Sequence, residues 1–323
     1  MQVNGTVHGK TPWRYYLGCG CPLLAVILLL LVLAFLTQIV ESDSPRLPLR
    51  DFTPLQDYPD AIDLAASTLI AETGLKWLAL SYFYWLVGLV TLGFCIFRLQ
   101  RAFAQCSRAL RNATYTLFFL LLVATLAALY HTAVVREIPL MSFIHLLRHL
   151  QLVGQGLLEL ASWNNALAYL NLVAIMAVIS LLLVPGVHER DPGRQMRAVT
   201  RVMYCAAAFL LVWIAQATEM YRLAACLLVA EERDKVLQLA PTISLVAGVL
   251  ASLLLAASYL AACLWLQWYY QDLRKSDATQ AVPDASASPR QFLHEHWPKI
   301  TAVMMPILPG VMGTVFNLVT QTV

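Results

Sequence analysis

The residues of this chain that could do chemistry are few, and the best of them interrupt an apolar stretch. Gln216, Thr218, Glu219 and Arg222 fall within Val202–Val229, which carries no other charge. An ionisable side chain at membrane depth is expensive, so it should face protein or water rather than lipid. Glu219 and Arg222 are three apart and can pair on one helical face. Two readings follow: a structural ion pair, or a site for a substrate, ion or proton. At 1.5 Å per residue from Arg201, Glu219 lies roughly 27 Å along a helix, near the far boundary of a bilayer. That depth favours the structural reading. His131, Asn171, Asn164, Asn165, Thr37, Gln38, Ser81, Tyr82 and Tyr84 fall at comparable depth in other stretches. They would line an outward-facing polar vestibule if their helices face one another, and would otherwise be interfacial or interhelical packing groups.

Metal chemistry is weakly signalled. His145 and His149 share a helical face, but no third ligand accompanies them, and the polar stripe of an amphipathic helix explains both. Cys19-Gly20-Cys21 offers two thiols without further ligands, and His294-Glu295-His296 would point its histidines apart on a helix. No metal or other cofactor is expected. No phosphate-binding loop, dinucleotide fingerprint or Gly-x-Ser-x-Gly elbow is present, and no nucleophile–base set can be assembled, so an enzyme is the weakest reading.

The elements that must position these residues are membrane helices. The 323 residues are 59% hydrophobic and 13% charged, against about 25% charged in soluble domains. About six apolar runs are long enough to span a bilayer as helices: Leu17–Val40, Leu75–Phe97, Tyr115–Val135, Ala166–Val187, Val202–Val229 and Pro241–Trp268. The fold class is therefore all-α, a polytopic transmembrane bundle over residues 1–271. The first run follows Lys10 and Arg14 and exceeds the apolar core of a signal peptide, which makes it a retained anchor.

Basic residues mark every second loop. Arg98, Arg101, Arg108 and Arg111 follow the second run, Arg190, Arg194, Arg197 and Arg201 the fourth, and Arg274 and Lys275 the sixth. The loop after the first run is acidic instead. By the positive-inside rule the N-terminus and the basic loops are cytoplasmic. The sequons Asn4-Gly5-Thr6 and Asn112-Ala113-Thr114 then face the cytoplasm and should stay unglycosylated. The net charge of +3 supplies no field for nucleic acid.

Three segments are more than connectors. Glu41–Gly74, outside, is proline-rich, with a short helix expected from Asp60. Ile138–Trp163 is amphipathic and reads as a helix lying in the outer interface or packed over the bundle. Both are expected contact surfaces for membrane-protein partners. Residues 272–299 read as a cytoplasmic linker, and 300–323 as an apolar membrane-associated segment. Within it, Ile300–Val319 is broken by Pro306, Pro309, Gly310 and Gly313, so a seventh span, a re-entrant segment and a helix against the inner surface are alternatives. The aromatics near the run ends, among them Trp77, Trp163, Trp265 and Trp268, read as an interfacial belt.

The functional expectation is an integral membrane transporter or channel with an outward-facing vestibule. The alternative is a non-catalytic subunit or scaffold of a membrane complex. Small-residue faces such as Ala206-Ala207-Ala208 and Ala261-Ala262 permit close helix packing, including between copies in a homo-oligomer. Compact loops and the lack of an organelle address point to a prokaryotic inner membrane.

Overall fold

The computed structural model describes residues 64–103, 155–183, 192–276 and 304–308, with the isolated positions 112, 116, 123 and 311. Its regular elements are helices: α1 Leu64–Phe103, α2 Gln155–Leu182, α3 Pro192–Cys226, α4 Ala230–Ser276, and a 3-10 turn at Met305–Ile307. Each long helix contains a stretch long and apolar enough to cross a membrane: Ser67–Phe103, Glu159–Leu182, Gln195–Cys226 and Ala240–Tyr269. These correspond to four of the six expected spans. Leu17–Val40 and Tyr115–Val135 lie outside the described residues, apart from isolated helical positions at Thr116 and Val123.

The helices outrun the apolar runs that signalled them. Apolarity marks only what lipid requires, whereas i to i−4 hydrogen bonding continues into polar flanks. α1 begins at Leu64, so the end of the expected Glu41–Gly74 loop is helical. α4 runs through Pro241 instead of starting there. The proline removes one backbone donor, a defect that membrane helices tolerate when neighbours satisfy the freed carbonyl. α2 begins at Gln155, so Gln155–Trp163 continues the fourth span as one helix rather than lying across the interface as expected. No proline separates the two parts, and Leu157, Leu160, Ala161 and Leu167 keep one face turned to the bundle. Ile138–Gly154 lies outside the described residues. α2 stops at Leu182, short of Val187, where the Leu183 N–H bonds the Ser180 carbonyl in a tightened last turn. Pro185 follows and disfavours further helix.

α3 is the centre of the bundle and packs on α1, α2, α4 and the 3-10 turn. Its direction opposes that of α1: Thr73 meets Cys226, Ser81 meets Gln216, and Gly88 approaches Phe209. α4 also opposes it, with Thr218 on Ser244 and Met196 near Cys263. α2 runs parallel to α1, since Ser81 meets Asn164 and Gly88 approaches Leu167. It is parallel to α4 as well, through Met176–Ser258 and Leu183–Trp265. The C-terminal end of α1 and the N-terminal end of α2 therefore sit at opposite ends of the bundle.

Small residues let these axes approach. Ala206, Ala207 and Ala262 are buried among Ile175, Ile179, Val202, Leu255 and Tyr259, while Ala208 faces outward. A Cβ on Gly88 would come within 2.8 Å of Leu167 and 3.3 Å of Phe209. Leu86, Leu89, Val90, Ile96 and Phe97 of α1, and Val246, Val249, Leu253, Leu260 and Leu264 of α4, point away from the described core as apolar stripes. Of the expected belt, Trp163 and Trp268 are exposed, but Trp77 and Trp265 are buried. Trp265 donates its indole N–H to the Leu183 carbonyl at 3.2 Å, which ties α4 to the end of α2.

The described part of Ile300–Val319 is residues 304–308, centred on the 3-10 turn, and the isolated helical position Val311. The turn packs on α3 and α4, buries Pro306 and leaves Met304, Met305 and Leu308 exposed. Pro306 and Ile307 lie against Gly248, inside the apolar stretch of α4.

The helix register carries a direct test. Thr73 Oγ1 and Cys226 Sγ are 3.7 Å apart across α1 and α3. In a background stripped of the other cysteines, Thr73→Cys should form a disulfide with Cys226 under mild oxidation. Proteolysis between the helices would then release linked fragments only without reductant. Absence of the link would overturn the antiparallel register.

Candidate functional site

On α1, Ser81, Tyr84, Trp85 and Gly88 recur at helical spacing and form the face turned to α2 and α3. Asn164 of α2 meets that face at its centre. Its amide donates to Ser81 Oγ at 3.2 Å and accepts from Trp85 Nε1 at 2.7 Å. Its backbone carbonyl accepts from the Tyr84 hydroxyl at 2.8 Å. Gln216 of α3 closes the network, donating to Ser81 Oγ at 3.5 Å. Ser81, Tyr84, Asn164 and Gln216 are all buried, and the Tyr84 ring leans on Phe209 with centroids 5.4 Å apart. Three helices are thus joined through side chains in an apolar setting, where an unmade hydrogen bond costs most.

The opposite side of α3 is also polar. Thr218 bonds the Ile214 carbonyl at 2.7 Å and the Ser244 hydroxyl at 2.6 Å. These two residues line a cleft with Trp213, Ala217, Tyr221 and Ala247 that has room for about one water molecule.

Glu219 and Arg222 pair at 2.6 Å within α3, with side chains 15% and 39% exposed. On α1, Glu72 and Lys76 pair at the same distance, both more than half exposed. Lys76 lies within electrostatic reach of Glu219 and Arg222, so opposite charges alternate across the two helices. The Glu72–Lys76 pair, open to solvent, contributes little. A double-mutant cycle of Glu219→Gln and Arg222→Gln should give a coupling of about 0.5 kcal/mol or less. A coupling several times larger would mean the pair is shielded from water and would restore Glu219 as a functional candidate.

Asn171 does not join the Ser81 network. It is fully buried and donates to the Leu167 carbonyl of its own helix at 3.0 Å. Its Oδ1 and the Ser252 Oγ are buried without partners among the described residues. Tyr82, grouped with Ser81 by depth, is 71% exposed on the far face of α1. His131, His145 and His149 lie outside the described residues, as do Thr37 and Gln38. Among the described residues no group of three or more His, Cys, Asp or Glu could hold a metal, and Cys95, Cys205, Cys226 and Cys263 are not joined in disulfides.

Depth alone could not find Trp85 or Ser244. Trp85 is one helical turn from Ser81, a spacing that places its N–H on the same face once Ser81 is known to point inward. Ser244 carried no such signal, because its partner is on another helix. The chain matches no protein-family model, no curated protein and no solved structure.

Proposed function

We propose that this chain is a structural subunit or scaffold of the membrane, not a transporter. The observation behind this reading is that five polar residues of α1, α2 and α3 are bonded together. Ser81, Tyr84, Trp85, Asn164 and Gln216 form one closed set of hydrogen bonds across three helices. Among the described residues, a substrate passing between α1, α2 and α3 would have to break that set, and the cleft beside Thr218 has room for about one water. The same bonds suit a bundle whose task is to hold its faces rigid for other membrane proteins. Glu41–Gly74 and Ile138–Trp163 remain the proposed contact segments, and a second copy of the chain is a further proposed partner. The bundle gathers Arg98, Arg101, Arg197 and Arg201 at one end. By the positive-inside rule that is consistent with a cytoplasmic assignment for this end and the N-terminus, and a prokaryotic inner membrane is the proposed location.

Transport keeps one observation in its favour. Asn171 Oδ1 and Ser252 Oγ are unpartnered in the bundle interior, as groups lining a polar path would be. Single cysteines at Ser81, Gln216 and Ser252 separate the two readings. In intact membranes an impermeant thiol reagent should leave all three unmodified. Rapid modification at Gln216 or Ser252 would sink the subunit reading.

A further inference from the structure

The end of the bundle opposite the Thr73–Cys226 contact is built from the last turns of α1 and the first turns of α3. Arg98 and Arg101 come from the former and Arg201 from the latter, and the charges of Arg101 and Arg201 both bear on Arg98. No Asp or Glu occurs in α1 from Thr91 to Phe103 or in α3 from Pro192 to Cys205. Arg98 is also held in place: its guanidinium lies over the Phe94 ring, 5.1 Å from the centroid. Its Nε is buried and has no hydrogen-bond partner among the described residues. Basic loops need only be on the correct side of a membrane to satisfy topology. They do not require an arginine half-turned into the bundle beside two like charges.

Repulsion among three guanidinium groups is relieved by an anion with several acceptor oxygens. Guanidinium forks match phosphate oxygens in pairs. The cluster closes the apolar stretch Ser67–Phe103, which is where lipid phosphates lie. We propose that Arg98, Arg101 and Arg201 bind the phosphate of an anionic membrane lipid. This goes beyond the subunit reading and needs only that the bundle span a membrane.

The test uses the full chain in mild detergent, with binding read by native mass spectrometry and thermal stability. Dioleoylphosphatidylglycerol should bind and raise the melting temperature, and dioleoylphosphatidylcholine should do so far less. Arg101 and Arg201 are exposed, so Arg101→Gln with Arg201→Gln should fold normally yet weaken phosphatidylglycerol binding by about tenfold or more. Lysine at both positions should recover part of the loss. Inorganic phosphate producing the same stabilisation would keep the chemistry but assign it to a free anion. Equal responses to the two lipids, or an unchanged response in the glutamine variant, would overturn the proposal. Thiol modification at Gln216 would defeat the subunit reading and leave this result untouched.

Discussion

Replacing Gly248 by valine should expel the C-terminal turn from its seat on α4. A Cβ at this position would collide with the Pro306 carbonyl and come within 2.9 Å of Ile307 Cα. Those are backbone atoms, so no rotamer change relieves the clash. Overpacking of this kind costs about 1–3 kcal/mol. Displacing the turn would also expose Pro306, which is otherwise buried. The measurements are thermal stability in detergent and thiol labelling at Met304→Cys, which should speed up in the valine variant. Gly93→Val is the control: a Cβ there meets nothing within 4 Å, and the change should stay within about 1 kcal/mol. Equal losses at Gly248 and Gly93 would show that the turn is not seated between α3 and α4.

Asn164→Leu should be the most damaging conservative change in the polar network. Leucine keeps the branching and heavy-atom count of asparagine, with bulkier methyl groups, but removes the amide's donor and acceptor. Trp85 Nε1 then loses its acceptor and Ser81 loses a donor, in a buried place. Buried polar groups left unmade cost about 1–3 kcal/mol, so a loss near 2 kcal/mol is expected. Trp85→Phe removes the orphaned donor, so the double variant should be more stable than the sum of the two losses predicts. Asn171→Leu provides the contrast. Its amide bonds only its own helix and its Oδ1 has no partner, so leucine there should be neutral or stabilising. Similar losses at the two asparagines, with no recovery from Trp85→Phe, would remove the network from its place in the fold.

Much of the candidate site was legible in one dimension only. The spacing of Glu219 and Arg222 was enough to pair them, because i,i+3 proximity belongs to any helix. Depth grouped Ser81, Tyr82, Tyr84, Asn164 and Gln216, since rise per residue is constant. Depth says nothing of azimuth, and azimuth separates buried Ser81 from exposed Tyr82. It likewise sets Asn171 apart from the Asn164 network.

Composition and run length by themselves determined that the described part of this chain is helical, with stretches long and apolar enough to cross a membrane. Lipid leaves the backbone few ways to satisfy its hydrogen bonds, so a local property of the chain decides the local structure. The tertiary structure decided the rest. It carried α2 straight through Gln155–Trp163, ran α4 past Pro241 and set α3 at the centre of the bundle. It also brought Arg98 beside Arg201 and laid Pro306 on Gly248. Each of these depends on which faces of distant segments meet. Apolar side chains are nearly equivalent to lipid, so the choice is made by small-residue fit and a few interhelical hydrogen bonds, neither of which leaves a mark within a single helix.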